Sequence, residues 1–255
     1  MSKDIIVIPD VHGRQFWKEA VEKYPEADTI FLGDYLDAYH HENIKPRETY
    51  KNFLEILDYA KTNENVTLLF GNHDLVYWFN YDWGRRDNSR GDEILEVFRN
   101  NLSLFRLYAV REVNGGKWLF SHAPLFEEWL EKTGLPHDIA DHEPIIWKLL
   151  EKFNRNSEAG YAEIRPLHDA VWGTLARASS RRGGIDKCGS PVWADVNEIL
   201  DGCTLSSEFD YFVFGHTQLN HPIITDKFAC LDSRQAFKIT PTGVIEPITE
   251  QKAIF

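Results

Sequence analysis

The sequence predicts an α/β fold, and three observations carry that expectation. Short aliphatic runs of strand length (Ile5 to Pro9, Thr29 to Leu32, Val66 to Phe70) each end abruptly in Gly and polar residues. Segments with helical spacing of apolar residues separate them. The runs are continuous and do not alternate with polar residues, so a βαβ arrangement that buries the strands on both faces suits them.

The first helix is expected over Phe16 to Tyr24, where Phe16, Ala20 and Val21 share a face. In the second, Tyr50, Phe53, Leu54 and Leu57 recur at i, i+3, i+4 and i+7. From Leu75 to about Asn101 the chain turns aromatic and charged (Tyr77, Trp78, Phe79, Tyr81, Trp83, then Arg85, Arg86, Arg90), and Glu93 to Phe105 has a helical pattern. Tyr108 to Val113 and Lys117 to Phe120 are expected to form a hairpin around Asn114-Gly115-Gly116. Leu125 to Lys132 and Pro144 to Phe153 are helical in pattern, and Asn154 to Ser190 is the least regular stretch. Strands return at Tyr211 to Phe214, Ile223-Ile224, Phe228 to Leu231 and Phe237 to Thr240. With no repeat or linker, residues 1–255 are expected to form a single domain carrying a cap-like insertion at about 124–208.

Composition narrows the class. Of the 255 residues, 43% are hydrophobic and 13% aromatic, enough for a packed core. The apolar run before Asp10 is too short for a signal peptide or a membrane span, so a cytoplasmic protein is expected. Cys188, Cys203 and Cys230 are odd in number and lack CxxC spacing, as where thiols stay reduced and pack as small apolar residues. A net charge of −12 argues against non-specific nucleic-acid binding. It does not exclude an anionic substrate, because divalent cations in an acidic pocket reverse the local field.

Five strands each deliver a ligand-type residue at the same end: Asp10 and His12 in PDVHG, Asp34 in GDYLD, Asn72 and His73 in GNHD, His122 in SHAP and His216 in GHT. Any one cluster is accounted for by a turn or a hydrogen-bonded histidine. Their recurrence where α/β sheets collect ligands points to a metal centre. Carboxylate, amide and imidazole together suit Mn²⁺, Fe or Zn²⁺ and disfavour a thiolate site.

In type and order these motifs resemble the D-x-H, G-D-x-x-D, G-N-H-D/E, H and G-H-T series of the calcineurin-like metallophosphoesterase superfamily, over most of the chain. The resemblance implies a β-sandwich of two mixed sheets flanked by helices. It also implies two divalent cations, Mn²⁺ foremost, with Fe, Zn²⁺ or Mg²⁺ as alternatives. By it Asp10 and His12 bind the first, Asp34 bridges both, and Asn72, His122 and His216 complete the second. His73 is then the proton donor to the leaving group, oriented by Asp37, and Asp74 occupies a position that is not a ligand. Asp232-Ser233 resembles a structural Asp-Thr-Gly of the protein phosphatase branch.

Three departures bear on substrate. That branch carries a phosphate-binding arginine where this chain has Ala38, and Gly-Gly where Ala123-Pro124 follows His122. Gln218 stands where the wider superfamily often has a second histidine. Arg14, Arg177, Arg181 and Arg182 are the candidates to supply the missing guanidinium, each of them also readable as part of a solvated basic loop. His40, His41, His137, His142, His168 and His221 match no motif and are expected at the surface or in hydrogen bonds, His40 and His41 within reach of the pocket mouth. Trp78, Trp83, Trp172 and Trp193 are expected in the core. The expected function is hydrolysis of a phosphomonoester or phosphoanhydride, with a phosphorylated small molecule, nucleotide or phosphoprotein as substrate. The alternatives are a nucleotide or dinucleoside polyphosphate pyrophosphohydrolase and a non-catalytic scaffold on the same fold.

Overall fold

Strand ends dominate the architecture. The structure, a computed structural model, describes residues 3–79, 85–155 and 169–249. The expectations for Tyr81, Trp83, His168 and residues 156–168 of the Asn154 to Ser190 stretch lie outside these residues. The chain divides into two compact units, one made of the residues up to His122 and from Asp210 onward, the other of Ala123–Phe209.

In the first unit β1 (Ile5–Ile8) leads to α1 (Phe16–Lys23), β2 (Asp28–Phe31) to α2 (Pro46–Thr62), and β3 (Val66–Leu69) to α3 (Asn72–Phe79) and α4 (Gly91–Asn100). After them come β4 (Phe105–Arg106), the hairpin β5 (Tyr108–Val113) and β6 (Gly116–Ser121), and then β7 (Tyr211–Phe214), β8 (Ile223–Ile224), β9 (Phe228–Cys230), β10 (Phe237–Ile239) and β11 (Ile245–Pro247). They form two mixed sheets, β11-β10-β1-β2-β3-β4 and β5-β6-β7-β9-β8. β1 to β4 are mutually parallel and β10 runs antiparallel to β1; β6, β7 and β9 are parallel, with β5 and β8 antiparallel at the edges.

The strands read as uniformly apolar because their two faces bury against different partners. Every second residue (Ile5, Val7, Ile30, Leu32, Trp118, Phe120, Tyr211, Val213, Phe237, Ile239) joins one core cluster drawn from both sheets. The opposite face of the first sheet meets helices: Phe31 packs edge-on to Trp17 of α1, and Tyr35 packs on Phe53 of α2. Phe70, Phe98 and Phe105, all fully buried, pack together beside the β3–α3 turn. Each such ring contributes roughly 1.5–3 kcal/mol by leaving water.

Two helix boundaries differ from expectation by about a turn or more. α4 stops at Asn100, and Phe105, expected as the end of that helix, begins β4, paired with Leu68. Its apolar spacing fits either element, and the open edge of β3 decides it. In the second unit, α5 spans Glu127–Thr133 and α6 spans Ile139–Arg155, with Pro144 inside it. The sequence suggested a start at Pro144, but the Asp138 carboxylate accepts the N–H of Ala140 at 2.9 Å and caps the helix earlier.

The cysteine expectation is corrected. Cys188 and Cys203 form a disulfide, and Cys230, buried at the end of β9, remains a thiol. Pairing across 15 residues depends on the chain returning on itself, which cysteine spacing does not encode. The thiols therefore no longer argue for a reducing compartment. Among the described residues no helix is long and apolar enough to cross a membrane.

Candidate metal centre

The ends of β1, β2, β3, β6 and β7 carry Asp10, His12, Asp34, Asn72, His122 and His216, all buried. Atoms of Asp10, His12 and Asp34 lie within 4.8 Å of one another, and so do those of Asp34, His122 and His216. Asp34 belongs to both groups. Two motif glycines permit this crowding: a Cβ at Gly71 would stand 2.2 Å from an Asp34 oxygen, and one at Gly215 would stand 2.0 Å from an Asp10 oxygen. His12, Asp34, Asp37 and His216 all adopt positive φ, 43° to 64°, a conformation costly outside glycine that gathers at functional sites.

Hydrogen bonds set the imidazoles. His12 Nδ1 donates to the Leu36 carbonyl at 2.8 Å, and His122 Nδ1 donates to the Leu32 carbonyl at 2.7 Å. In each ring the Nε2 lone pair is thereby left facing the carboxylates, the tautomer a metal ligand needs. His122 Nε2 lies 3.0 Å from Asn72 Oδ1 and 3.1 Å from His216 Nδ1, and those two are 3.0 Å apart. Asp34 Oδ1 is 3.6 Å from His122 Nε2, and Asp34 Oδ2 is 3.4 Å from His12 Nε2.

The electrostatics fit cations. Burial, reinforced by Asp34, pushes the Asp10 carboxyl up to about 8 against the backbone N–H of His216. Burial opposes ionisation of Asp34 too, but the facing imidazoles, His122 foremost, hold its carboxyl below the usual range. Burial lowers both His12 and His122, favouring neutral rings, the form that a metal ligand takes. Asp232, just beyond β9, is also buried; its carboxyl is raised by burial and then by Asp10, and neither oxygen has a hydrogen-bond partner among the described residues. Such a concentration of buried carboxylate and imidazole is a donor set that divalent cations satisfy.

Asp74 has a different task. Its carboxylate accepts the N–H groups of Asp34 and Gly71, each at 2.8 Å, and of Tyr35 at 3.1 Å. It ties the β2 and β3 turns together, and Asp34 in turn accepts the N–H of His73 at 2.9 Å.

His73 sits beside the first group, its ring 5.2 Å from that of His12. Its Nδ1 is 3.0 Å from Asp37 Oδ2, and the Tyr77 hydroxyl donates to the other Asp37 oxygen. Arg85 Nη2 lies 2.7 Å from His73 Nε2, so in the neutral ring Nδ1 donates to Asp37 and Nε2 accepts from the guanidinium. Arg85 Nη1 donates to the Asp37 carbonyl at 3.1 Å, and its guanidinium lies 3.8 Å from the Tyr39 ring centre. Sequence reasoning missed this arginine; its signal was the Arg85-Arg86 pair following the GNHD motif. Ala38, His40 and Arg85 line one cavity of about 340 Å³.

The arginines singled out from sequence are engaged by carboxylates. Arg14 donates from Nε and Nη2 to Glu42, each at 2.9 Å, and from Nη1 to the Asp10 carbonyl at 3.0 Å. Within the second unit Arg177 pairs with Asp186 at 2.8 Å, Arg182 with Asp195 at 2.9 Å, and Arg181 with Asp201.

Mixed sheets whose strand ends converge on buried carboxylates and imidazoles define an α/β protein with a metal-ligand cluster. The family model that matches residues 3–219 is that of the calcineurin-like phosphoesterases, and the chain belongs to this family of metal-dependent hydrolases. Among solved structures the chain resembles a cold-active protein-tyrosine phosphatase of a psychrophilic Shewanella species, at 15% identity and a TM-score of 0.54, covering 98% of this chain and 81% of that one. A further structure of a cold-active protein tyrosine phosphatase aligns with a TM-score of 0.55 at 15% identity, over 98% and 80% of the two chains. At that identity the likeness concerns the fold. No curated protein matches the chain.

Proposed function

We propose that this phosphoesterase hydrolyses phosphomonoesters or phosphoanhydrides with two divalent cations, Mn²⁺ foremost, held by one shared carboxylate. The observation that carries the reading is the membership of Asp34 in both ligand groups. Asp10, His12 and Asp34 would hold one cation; Asp34, Asn72, His122 and His216 would hold the other. When bound, such cations make water a nucleophile near neutral pH and neutralise charge on the phosphoryl oxygens.

The remaining work falls to the chain. Asp37, anchored by Tyr77, holds His73 Nδ1; once Nε2 takes up a proton from water in place of its bond to Arg85, the imidazolium would hand that proton to the departing oxygen. The Leu36 and Leu32 carbonyls keep the ligand rings in register, and Asp74 holds the two turns that present Asp34 and Asn72. Substrates to be compared are phosphorylated small molecules, nucleotides and phosphopeptides.

The test is hydrolysis of p-nitrophenyl phosphate by the Mn²⁺-loaded chain, with metal content measured on the same sample. Turnover lost on chelation, with two cations per chain at saturation, is expected. Turnover indifferent to chelator would refute the metal mechanism, and saturation at one cation would refute the shared-carboxylate arrangement.

A further inference from the structure

We infer that Arg85 grips the phosphoryl group of the substrate, doing from a different element what position 38 does not do in this chain, and that it thereby selects monoesters over diesters. The inference rests on the phosphoesterase reading above and specifies the substrate class of the same site.

Placement is the first argument. The Arg85 guanidinium lies 2.7 Å from His73 Nε2, the atom proposed to face the departing oxygen. A donor that close to Nε2 is within reach of the oxygens attached to the same phosphorus. Room is the second argument. Ala38 and Arg85 line the same cavity of about 340 Å³ together with Asp37, the residue that holds His73, so the methyl group at 38 leaves room for the guanidinium of residue 85 beside the Asp37–His73 pair.

Charge is the third. Arg14, Arg177, Arg181 and Arg182 are each neutralised by a carboxylate. Arg85 has no ion-pair partner among the described residues; its contacts are an imidazole nitrogen, a backbone carbonyl and the face of Tyr39. Those contacts orient a planar fork of donors and include no carboxylate among the described residues, the state in which an arginine takes up a phosphate with two parallel hydrogen bonds. As the anion arrives, the Nη2 bond to His73 is exchanged for one to a phosphoryl oxygen, and Nε2 is freed to take up a proton from water and carry it to the departing group.

A fork that spans two terminal oxygens gains most from a monoester, which presents more unesterified oxygens than a diester. The experiment uses the full chain loaded with Mn²⁺ and compares p-nitrophenyl phosphate with its bis-ester, inorganic phosphate serving as competitive inhibitor. In Arg85→Ala, kcat/KM for the monoester is expected to fall about 100-fold and the inhibition constant of phosphate to rise about tenfold, while the bis-ester loses less than about fivefold and metal content is unchanged. Arg85→Lys keeps the charge without the fork and recovers only part of the loss. Adding Ala38→Arg to Arg85→Ala returns a guanidinium to the cavity and should restore phosphate inhibition.

An unchanged phosphate inhibition constant and monoester-to-diester ratio in Arg85→Ala would overturn the role of Arg85 and leave the phosphoesterase reading intact. Equal losses on both esters, or loss of metal, would make Arg85 a structural residue and overturn it equally. Absence of Mn²⁺-dependent turnover in the unaltered chain would instead remove the reading on which the inference stands.

Discussion

The Asp10 carboxylate accepts the backbone N–H of His216 with both oxygens, at 3.0 and 2.9 Å, across 206 residues of sequence. Asp10 follows β1 in one sheet and His216 follows β7 in the other, so this contact closes the site where the sheets meet. A single carboxylate sets a loop and faces the proposed cation at once.

That double duty gives a pH signature for the metal-free chain. In the fold Asp10 titrates near 8, against 3.8 for the unperturbed group, so the folded state holds a proton that the unfolded state has released. The stability this contributes is complete below about pH 4 and is lost as pH rises through about 8. With metal stripped, the wild type should lose melting temperature relative to Asp10→Asn by several degrees between pH 5 and pH 8.5, and Mn²⁺ should reverse the loss. Parallel pH dependence of the two proteins would show that Asp10 is ionised in the metal-free fold.

Asp34→Asn keeps an oxygen that can accept the His73 N–H but removes the charge shared by the two ligand groups. Turnover should fall about 1,000-fold or more, and bound Mn²⁺ should drop below two per chain. Undiminished turnover would remove Asp34 from the centre of the mechanism.

His73→Ala should cost little on p-nitrophenyl phosphate, whose leaving group hardly needs a proton, and about 100-fold on an alkyl phosphate. Asp37→Asn, which weakens the hold on Nδ1, should show the same dependence in milder form. Equal losses across leaving groups would exclude His73 as the proton donor.

Asp74 is expected to matter for stability, through the turns that it ties together. Asp74→Ala strands three buried N–H donors and should cost roughly 3 kcal/mol or more in urea unfolding. A loss under about 0.5 kcal/mol would mean that the turns hold without it.

Reduction of Cys188–Cys203 opens a loop with a sequence separation of 15, for which loss of chain constraint predicts about 3 kcal/mol. Thermal unfolding with and without reductant, with Cys188→Ser as control, measures it. A reductant effect that persists in Cys188→Ser would place the sensitivity elsewhere.

The sequence by itself determined the α/β class and, through the resemblance of its motifs, the two-sheet family; the six ligand-type residues were legible because each follows a strand in a short motif of its own. Asp10, His12, Asp34, Asn72, His122 and His216 stand in motifs of three to five residues, and buried strands bring such ends together whatever the intervening chain. Arg14 and Arg85 show where that legibility stops. One guanidinium is spent on Glu42 and the other stays without a carboxylate among the described residues, a difference made by neighbours far along the chain. The disulfide between Cys188 and Cys203 was illegible for the same reason. Ligand type is written in the side chain, but the pairing of charges and thiols is decided by which distant segments the packed fold brings into contact.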